Sequence, residues 1–220
     1  MSLWAIIPAR LPAEGKSRLA PVLSEAERRR LNLEFFRQTL STVSIAVGRH
    51  RTIAISRSQA LLRIADMAGC AAILERSPYG LNEALVQAAK AAARAGATRV
   101  LSVSCDLPFL TPDDLRTLIA AAEGAQGLAI AADRAGSGTN AMIVSPIGAI
   151  PYRYGADSFE AHRHAARTAG LKLETVRLAG LSFDVDTPDD LLEMYRIRPK
   201  AFRLPARPDR EAAASLCKSS

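Results

Sequence analysis

The sequence predicts an α/β fold with a mostly parallel central sheet and helices on both faces. Two observations carry that expectation. From Trp4 onward, short apolar runs alternate with helix-length amphipathic segments, the order that parallel strands joined by crossover helices produce. The run from Arg99 then stops abruptly at Asp106, and a helix opens at Thr111-Pro112-Asp113-Asp114. Thr is a good N-cap, Pro fits the first helical position, and Pro108 cannot continue a sheet ladder. Asp106 is therefore expected at the carboxyl end of a buried strand, the edge where open α/β sheets bind ligands. An acid in that position also serves simply to tie down a turn, so its role depends on what else reaches the same edge.

The elements follow in order. Trp4–Ile7 reads as the first strand, and Pro8 to Arg18 as a long basic loop carrying Arg10, Lys16 and Arg18. Ser24-Glu25-Ala26-Glu27 is a capping box, and Leu31, Phe35 and Leu40 continue a helical face to about residue 46. Arg29, Arg30 and Arg37 fall on its solvated side. Strands are expected at 51–55 and 71–74, separated by a helix through Leu61, Leu62 and Ile64. Ser77-Pro78-Tyr79-Gly80-Leu81-Asn82 is a turn that opens an Ala-rich helix to Arg94. Gly80 permits close backbone approach, and Asn82 offers an amide able to read a base or ribose.

After the central strand come a helix over 112–122, a strand over 128–132, a hairpin-like loop at 133–140 and a short strand at 141–144. The loop's glycines and hydroxyls could cradle an anion, but it lacks the Lys and spacing of a P-loop. A helix then opens at Ser158, with His162 one turn along; a cap and a surface histidine are the simpler reading of that pair. A strand is expected at 173–178. Thr-Pro-Asp-Asp-Leu, present at 111–115, recurs at 187–191 behind Asp184 and Asp186. Two residues apart in an extended segment, those two carboxylates point the same way.

Composition excludes several functions. With 220 residues, 49% hydrophobic and 23% charged, the chain suits one domain over 1–197 followed by a basic, flexible tail over 198–220. The tail carries +4 of the net +7, leaving +3 on the rest, a mild excess that suits phosphorylated small molecules better than nucleic acid. No apolar run reaches the length of a membrane span, and the N-terminus lacks the pattern of a secretory signal, so the expected compartment is the cytoplasm. Cys70, Cys105 and Cys217 are too scattered for a disulfide framework or a zinc site, and Cys105 reads as a small core residue. Gly-x-Ser-x-Gly is absent, as is any acid placed to complete a hydrolase triad.

One family shares these motifs in this order. Gly15-Lys16-Ser17-Arg18-Leu19 with Leu-Ser-x-x-Glu-Arg after it, Gly80-Leu81-Asn82, Asp106-Leu107-Pro108, Gly138-Thr139-Asn140, Gly155-x-x-Ser158-Phe159-x-x-His162 and Asp184-Val185-Asp186-Thr187-Pro188 span residues 4–195. Together they resemble the 2-phospho-L-lactate or phosphoenolpyruvate guanylyltransferases of coenzyme F420 biosynthesis, within the Rossmann-like nucleotide-diphospho-sugar-transferase fold. The resemblance implies transfer of GMP from GTP to the phosphate of 2-phospho-L-lactate, phosphoenolpyruvate or 3-phosphoglycerate, with release of pyrophosphate. It implies Mg²⁺ held by Asp106, Asp184 and Asp186, and catalysis by Lys16, Arg18 and Asp106. Arg10, Lys16, Gly80 and Asn82 would bind the nucleotide, and Thr139, Gly155, Ser158 and His162 the phosphorylated acid. Arg10 stands where relatives tend to have Lys, and the wider superfamily's glycine-rich first loop is reduced to Gly15. Rival readings are a nucleotidyltransferase for a molybdopterin or sugar phosphate, with CTP as an alternative donor, and a non-catalytic nucleotide-binding regulator. Association into homo-oligomers stays open.

Overall fold

The computed structural model describes residues 2–10, 16–122 and 126–199. Gly15 and the tail beyond Pro199 lie outside the described residues. The strands are β1 (Leu3–Pro8), β2 (Thr52–Ser56), β3 (Ala71–Leu74), β4 (Arg99–Val103), β5 (Gly127–Ala132), β6 (Thr139–Ser145) and β7 (Lys172–Thr175). The helices are α1 (Glu25–Val47), α2 (Gln59–Met67), α3 (Leu81–Arg94), α4 (Pro112–Ala121), α5 (Ser158–Thr168), α6 (Ala179–Ser182) and α7 (Pro188–Ile197). All seven strands join one sheet in the order β3-β2-β1-β4-β6-β5-β7. The fold is the α/β architecture the sequence predicts.

Alternation along each strand divides the core between the two faces. Ala5, Ile7, Ala54, Leu101, Val103, Ala129 and Ile143 pack against α1, α2 and α4 on one side. Ile6, Ile53, Ile55 and Val100 meet the alanine face of α3 on the other, while Leu128, Ile130, Met142 and Val144 meet Phe159 and Ala166 of α5. With both faces covered, the inner strands are apolar along most of their middle positions, with Ser102 the polar exception within β4. A smaller cluster of Leu19, Leu23, Leu31, Phe35, Phe183, Val185, Leu191 and Met194 lies outside the sheet. It fastens the segments flanking Lys16 and Asp186 to α1 and α7.

One strand breaks the parallel pattern. β6 pairs antiparallel with both β4 and β5, forming with β5 the hairpin the sequence suggests. It starts at Thr139 rather than at residue 141. Because β6 runs backwards, its first residues lie at the carboxyl edge of the parallel strands, and the Ser104 N–H donates to the Asn140 carbonyl at 2.8 Å.

The last strand is shorter than its pattern predicts. β7 ends at Thr175, and α6 follows, an element no periodicity announces. Gly180 allows α6 to pack where it does: a Cβ there would overlap the Asp114 carboxylate and lie 2.8 Å from the Phe109 carbonyl oxygen.

The capping box expected at Ser24 forms, and capping boxes also form at Thr111 and Thr187. Ser24 with Glu27, Thr111 with Asp114 and Thr187 with Asp190 each satisfy two helix-start donors reciprocally. The repeated pentapeptide thus performs the same local task twice, each time just beyond an acid of the carboxyl edge.

Candidate active site

β4 ends at Val103, and the chain turns through Asp106 before α4. Two side chains of α1 hold that turn. Gln38 donates to the Pro108 carbonyl at 2.8 Å, and buried Thr39 donates to the Cys105 carbonyl at 3.4 Å. Neither stands out in the sequence. Their one signal is a pair of polar residues beside the apolar stripe of Phe35, Phe36 and Leu40.

The Val185 N–H donates to the Asp106 carbonyl at 3.2 Å, bringing the second acidic segment against the first. Asp190 accepts from the Asp186 N–H at 3.0 Å and from the Thr187 N–H at 2.8 Å, which fixes the backbone of Asp186. Arg134, reaching over from the β5–β6 hairpin, pairs with Asp190 and with Glu193 and lies 4.1 Å from the Phe183 ring.

Lys16 enters between the two acids. Its Nζ is 3.2 Å from Asp106 Oδ2 and 3.2 Å from Asp186 Oδ1, and it donates to the Val185 carbonyl. The Lys16 side chain is only 7% exposed, against 29% for Asp106 and 48% for Asp186. Burial alone would favour the neutral amine, but the charges and hydrogen bonds of the two carboxylates outweigh it and raise the pKa above the ordinary lysine value. Lys16 also has a left-handed backbone, φ 58°, which an L-residue with a long side chain adopts at some cost.

Asp184 stands beside this group. Burial first, then repulsion from Asp106 and Asp186, pushes its carboxyl up to about 6. A surplus of negative charge is therefore built into this edge. Among the described residues, no three His, Cys, Asp or Glu side chains converge tightly enough to form a metal cluster. The carboxylates that face one another across Lys16 are Asp106 and Asp186.

Arg10, Lys16, Asp106 and Asp186 line a cleft of about 260 Å³ with Pro8, Asn32, Phe36 and Leu81. Leu81 brings the start of α3 to its rim. Gly80, the residue before it, donates its N–H to Glu75 at 3.0 Å. Arg18 is exposed on the short 3-10 turn Ser17–Leu19. A larger cavity of about 1030 Å³ between β3, α3 and Pro151–Tyr152 is lined by none of the three aspartates, whereas the smaller cleft is lined by Asp106 and Asp186.

Cys105 lies next to Asp106. Burial and the Asp106 charge push its thiol far above the ordinary range, and it donates to the Pro8 carbonyl at 3.0 Å.

The second group of predicted residues assembles at the start of β6. Ser158 Oγ accepts from the Thr139 N–H at 3.0 Å, and Thr139 Oγ1 is 3.0 Å from His162 Nδ1. The Arg153 N–H donates to His162 Nε2 at 2.9 Å. Since Nε2 must accept, Nδ1 carries the proton and donates to Thr139, which leaves the Thr139 hydroxyl hydrogen free to point elsewhere.

His162 is 0% exposed. The simpler surface-residue reading therefore fails: the ring is enclosed and bonded to the Thr139 hydroxyl and the Arg153 N–H. Gly155 is exposed and has φ +144°, a conformation that favours glycine, and Asp157 has φ +51°.

Asn82 joins this second group instead of standing free beside the cleft. Its Oδ1 accepts from the Tyr154 N–H at 2.8 Å, and its Nδ2 donates to the Tyr154 carbonyl at 3.1 Å.

The guanylyl transferase CofC-like family model matches residues 3–197. The chain belongs to that family. A phosphoenolpyruvate guanylyltransferase from Sphaerobacter thermophilus is 39% identical over 194 residues, covering 88% of this chain and 93% of the relative. A 3-phospho-D-glycerate guanylyltransferase from Colwellia psychrerythraea is 30% identical over 186 residues, covering 84% and 88%. Among solved structures, a nucleotidyl transferase from Methanothermobacter thermautotroptrophicus superposes with a TM-score of 0.66 at 15% identity, covering 91% of this chain and 97% of that one. At that identity the match shows the Rossmann-like fold alone. Family membership makes the chain a nucleotidyltransferase enzyme.

Proposed function

We propose that this protein transfers GMP from GTP to the phosphate of a small phosphorylated acid: 2-phospho-L-lactate, phosphoenolpyruvate or 3-phosphoglycerate. The observation that carries the reading is the Lys16 ammonium held between Asp106 and Asp186 at the carboxyl edge of the sheet, beside the Thr139–Ser158 group. A phosphate oxygen of the acid attacks the α-phosphorus of GTP, a new P–O bond forms, and the bond to pyrophosphate breaks. No protein nucleophile is needed, so the chain's task is to gather two anionic reactants and stabilise the transferring group.

In this reading Lys16, with Arg10 and Arg18, neutralises the triphosphate. Thr139, Gly155 and Ser158 take the phosphate or carboxylate of the acid, with His162 beneath them. The donor set suits Mg²⁺, which takes one or two carboxylates and completes its octahedron with phosphate oxygens and water. Asp106 and Asp186 would hold it, with Asp184 adding to the field that attracts it. Bound there, the ion supplies charge neutralisation at the phosphates. The reading includes one nucleotidyltransferase domain over residues 1–197, acting in the cytoplasm where GTP is supplied. Among the described residues, no helix is long and apolar enough to cross a membrane.

The test is pyrophosphate release across a panel of nucleoside triphosphates and phosphorylated acids with Mg²⁺. Turnover with GTP and one of the three acids is expected. Turnover only with a sugar phosphate, or only with CTP, would overturn the assignment.

A further inference from the structure

The backbone of residues 151–154 belongs to no strand or helix, so its polar groups must find partners other than a ladder. Side chains supply them from two directions. Asn82 of α3 takes both the N–H and the carbonyl of Tyr154. His162 of α5 accepts from the Arg153 N–H. Ser102 of β4 meets the Tyr154 hydroxyl at 2.8 Å, and the Tyr154 ring stands edge-on to the His162 ring at 4.9 Å. This segment leads directly into Gly155, Asp157 and Ser158.

We propose that Asn82 is a positioning residue for the acceptor loop 153–158, acting through the Tyr154 peptide groups, and not a reader of the nucleotide. The inference rests on the reading of Thr139, Gly155 and Ser158 as the acceptor site. An amide that exchanges two hydrogen bonds with one residue mimics a neighbouring strand and fixes both the height and the tilt of that residue's peptides. With Tyr154 fixed, the left-handed turn through Gly155 and Asp157 sets Ser158 Oγ under the Thr139 N–H. The start of α3 therefore reaches the acceptor without touching it. His162 holds the next peptide back along the chain, so the two side chains clamp consecutive N–H groups. The nucleotide side of the cleft and the acceptor loop become one mechanical unit.

The test is a comparison of steady-state constants for GTP and for phosphoenolpyruvate, used as the probe acid, in Asn82→Ala and Asn82→Asp. Asn82→Ala is expected to raise the KM for phosphoenolpyruvate roughly tenfold, the size that two net hydrogen bonds carry, while the KM for GTP stays within about twofold. Asn82→Asp keeps the acceptor for the Tyr154 N–H but sets a carboxylate oxygen against the Tyr154 carbonyl, so it too raises the KM for phosphoenolpyruvate and leaves that for GTP unchanged. A merely structural loss would not sort the two substrates. Should Asn82→Ala not fold, Asn82→Asp and Asn82→Ser carry the same comparison. A rise confined to GTP, an equal rise for both substrates, or no rise overturns the inference. Thr139→Val and Ser158→Ala separate it from the reading beneath it. If they raise the phosphoenolpyruvate KM while Asn82→Ala changes only GTP, the inference alone falls; if they leave that KM unchanged, the acceptor site lies elsewhere.

Discussion

Replacing His162 by Gln should remove one component of the protein's acid sensitivity. The imidazole is fully buried, and burial, with the Arg153 guanidinium adding to it, pushes its pKa down from 6.5 to about 4. The folded state thus holds the ring neutral over a range in which the unfolded chain binds a proton. Between those two values the unfolded state carries more protons, so stability rises with pH through the window and is lost on acidification. Below the folded value both states are protonated and the loss is complete. At 1.36 kcal/mol per unit, the full effect is about 3 kcal/mol, most of it reached by about pH 4.5. The Gln side chain offers one acceptor to the Arg153 N–H and one donor to Thr139, and it does not titrate. Urea unfolding from about pH 7.5 to 4.5, followed through Trp4, the single tryptophan, gives the two stability curves. The native curve should fall by roughly 2–3 kcal/mol more than the curve of the His162→Gln variant. Parallel curves would refute the argument. So would an imidazole resonance titrating near 6 that is assigned to His162 by its absence from the spectrum of the His162→Gln variant.

Two further outcomes follow from the same geometry. Lys16→Met removes the cation between Asp106 and Asp186 and should lower guanylyl transfer by about two orders of magnitude or more, with a retained circular dichroism spectrum. Turnover within about threefold of the native protein would show that the ammonium only braces the loop. Gly180→Ala forces α6 away from the Phe109 carbonyl and the Asp114 capping box, at a cost of roughly 1–3 kcal/mol in unfolding free energy. A change of less than about 0.5 kcal/mol would mean that α6 can shift without disturbing the start of α4.

What is legible in the sequence is local. The capping boxes at Ser24, Thr111 and Thr187 close within three residues, so their partners can be read off the chain. The β4 run and its terminal acid depend on side chains that are neighbours in order. His162 shows the opposite case. One turn beyond a polar helix start it has the pattern of a surface residue, and nothing nearby in the sequence indicates that Thr139 and Tyr154 cover it. Asn82 escapes for the same reason: its partner lies 72 residues away. The early end of β7 and the presence of α6 depend on packing against α4, which a strand-like run at 173–178 does not encode.

The direction of β6 brings the two groups of predicted residues to one edge of the sheet. In a wholly parallel sheet, the first residue of a strand lies at the edge opposite to the carboxyl ends, far from Asp106. Here Val103 is paired with Ala141 in an antiparallel ladder, so Thr139 and Asn140 emerge beside the turn that carries Asp106. The Ser104–Asn140 hydrogen bond ties the two departures together. Transfer between two bound anions depends on holding the attacking oxygen and the phosphorus within a few tenths of an ångström of a near-attack geometry. A reversed strand in the centre of the sheet supplies that precision from the ladder itself.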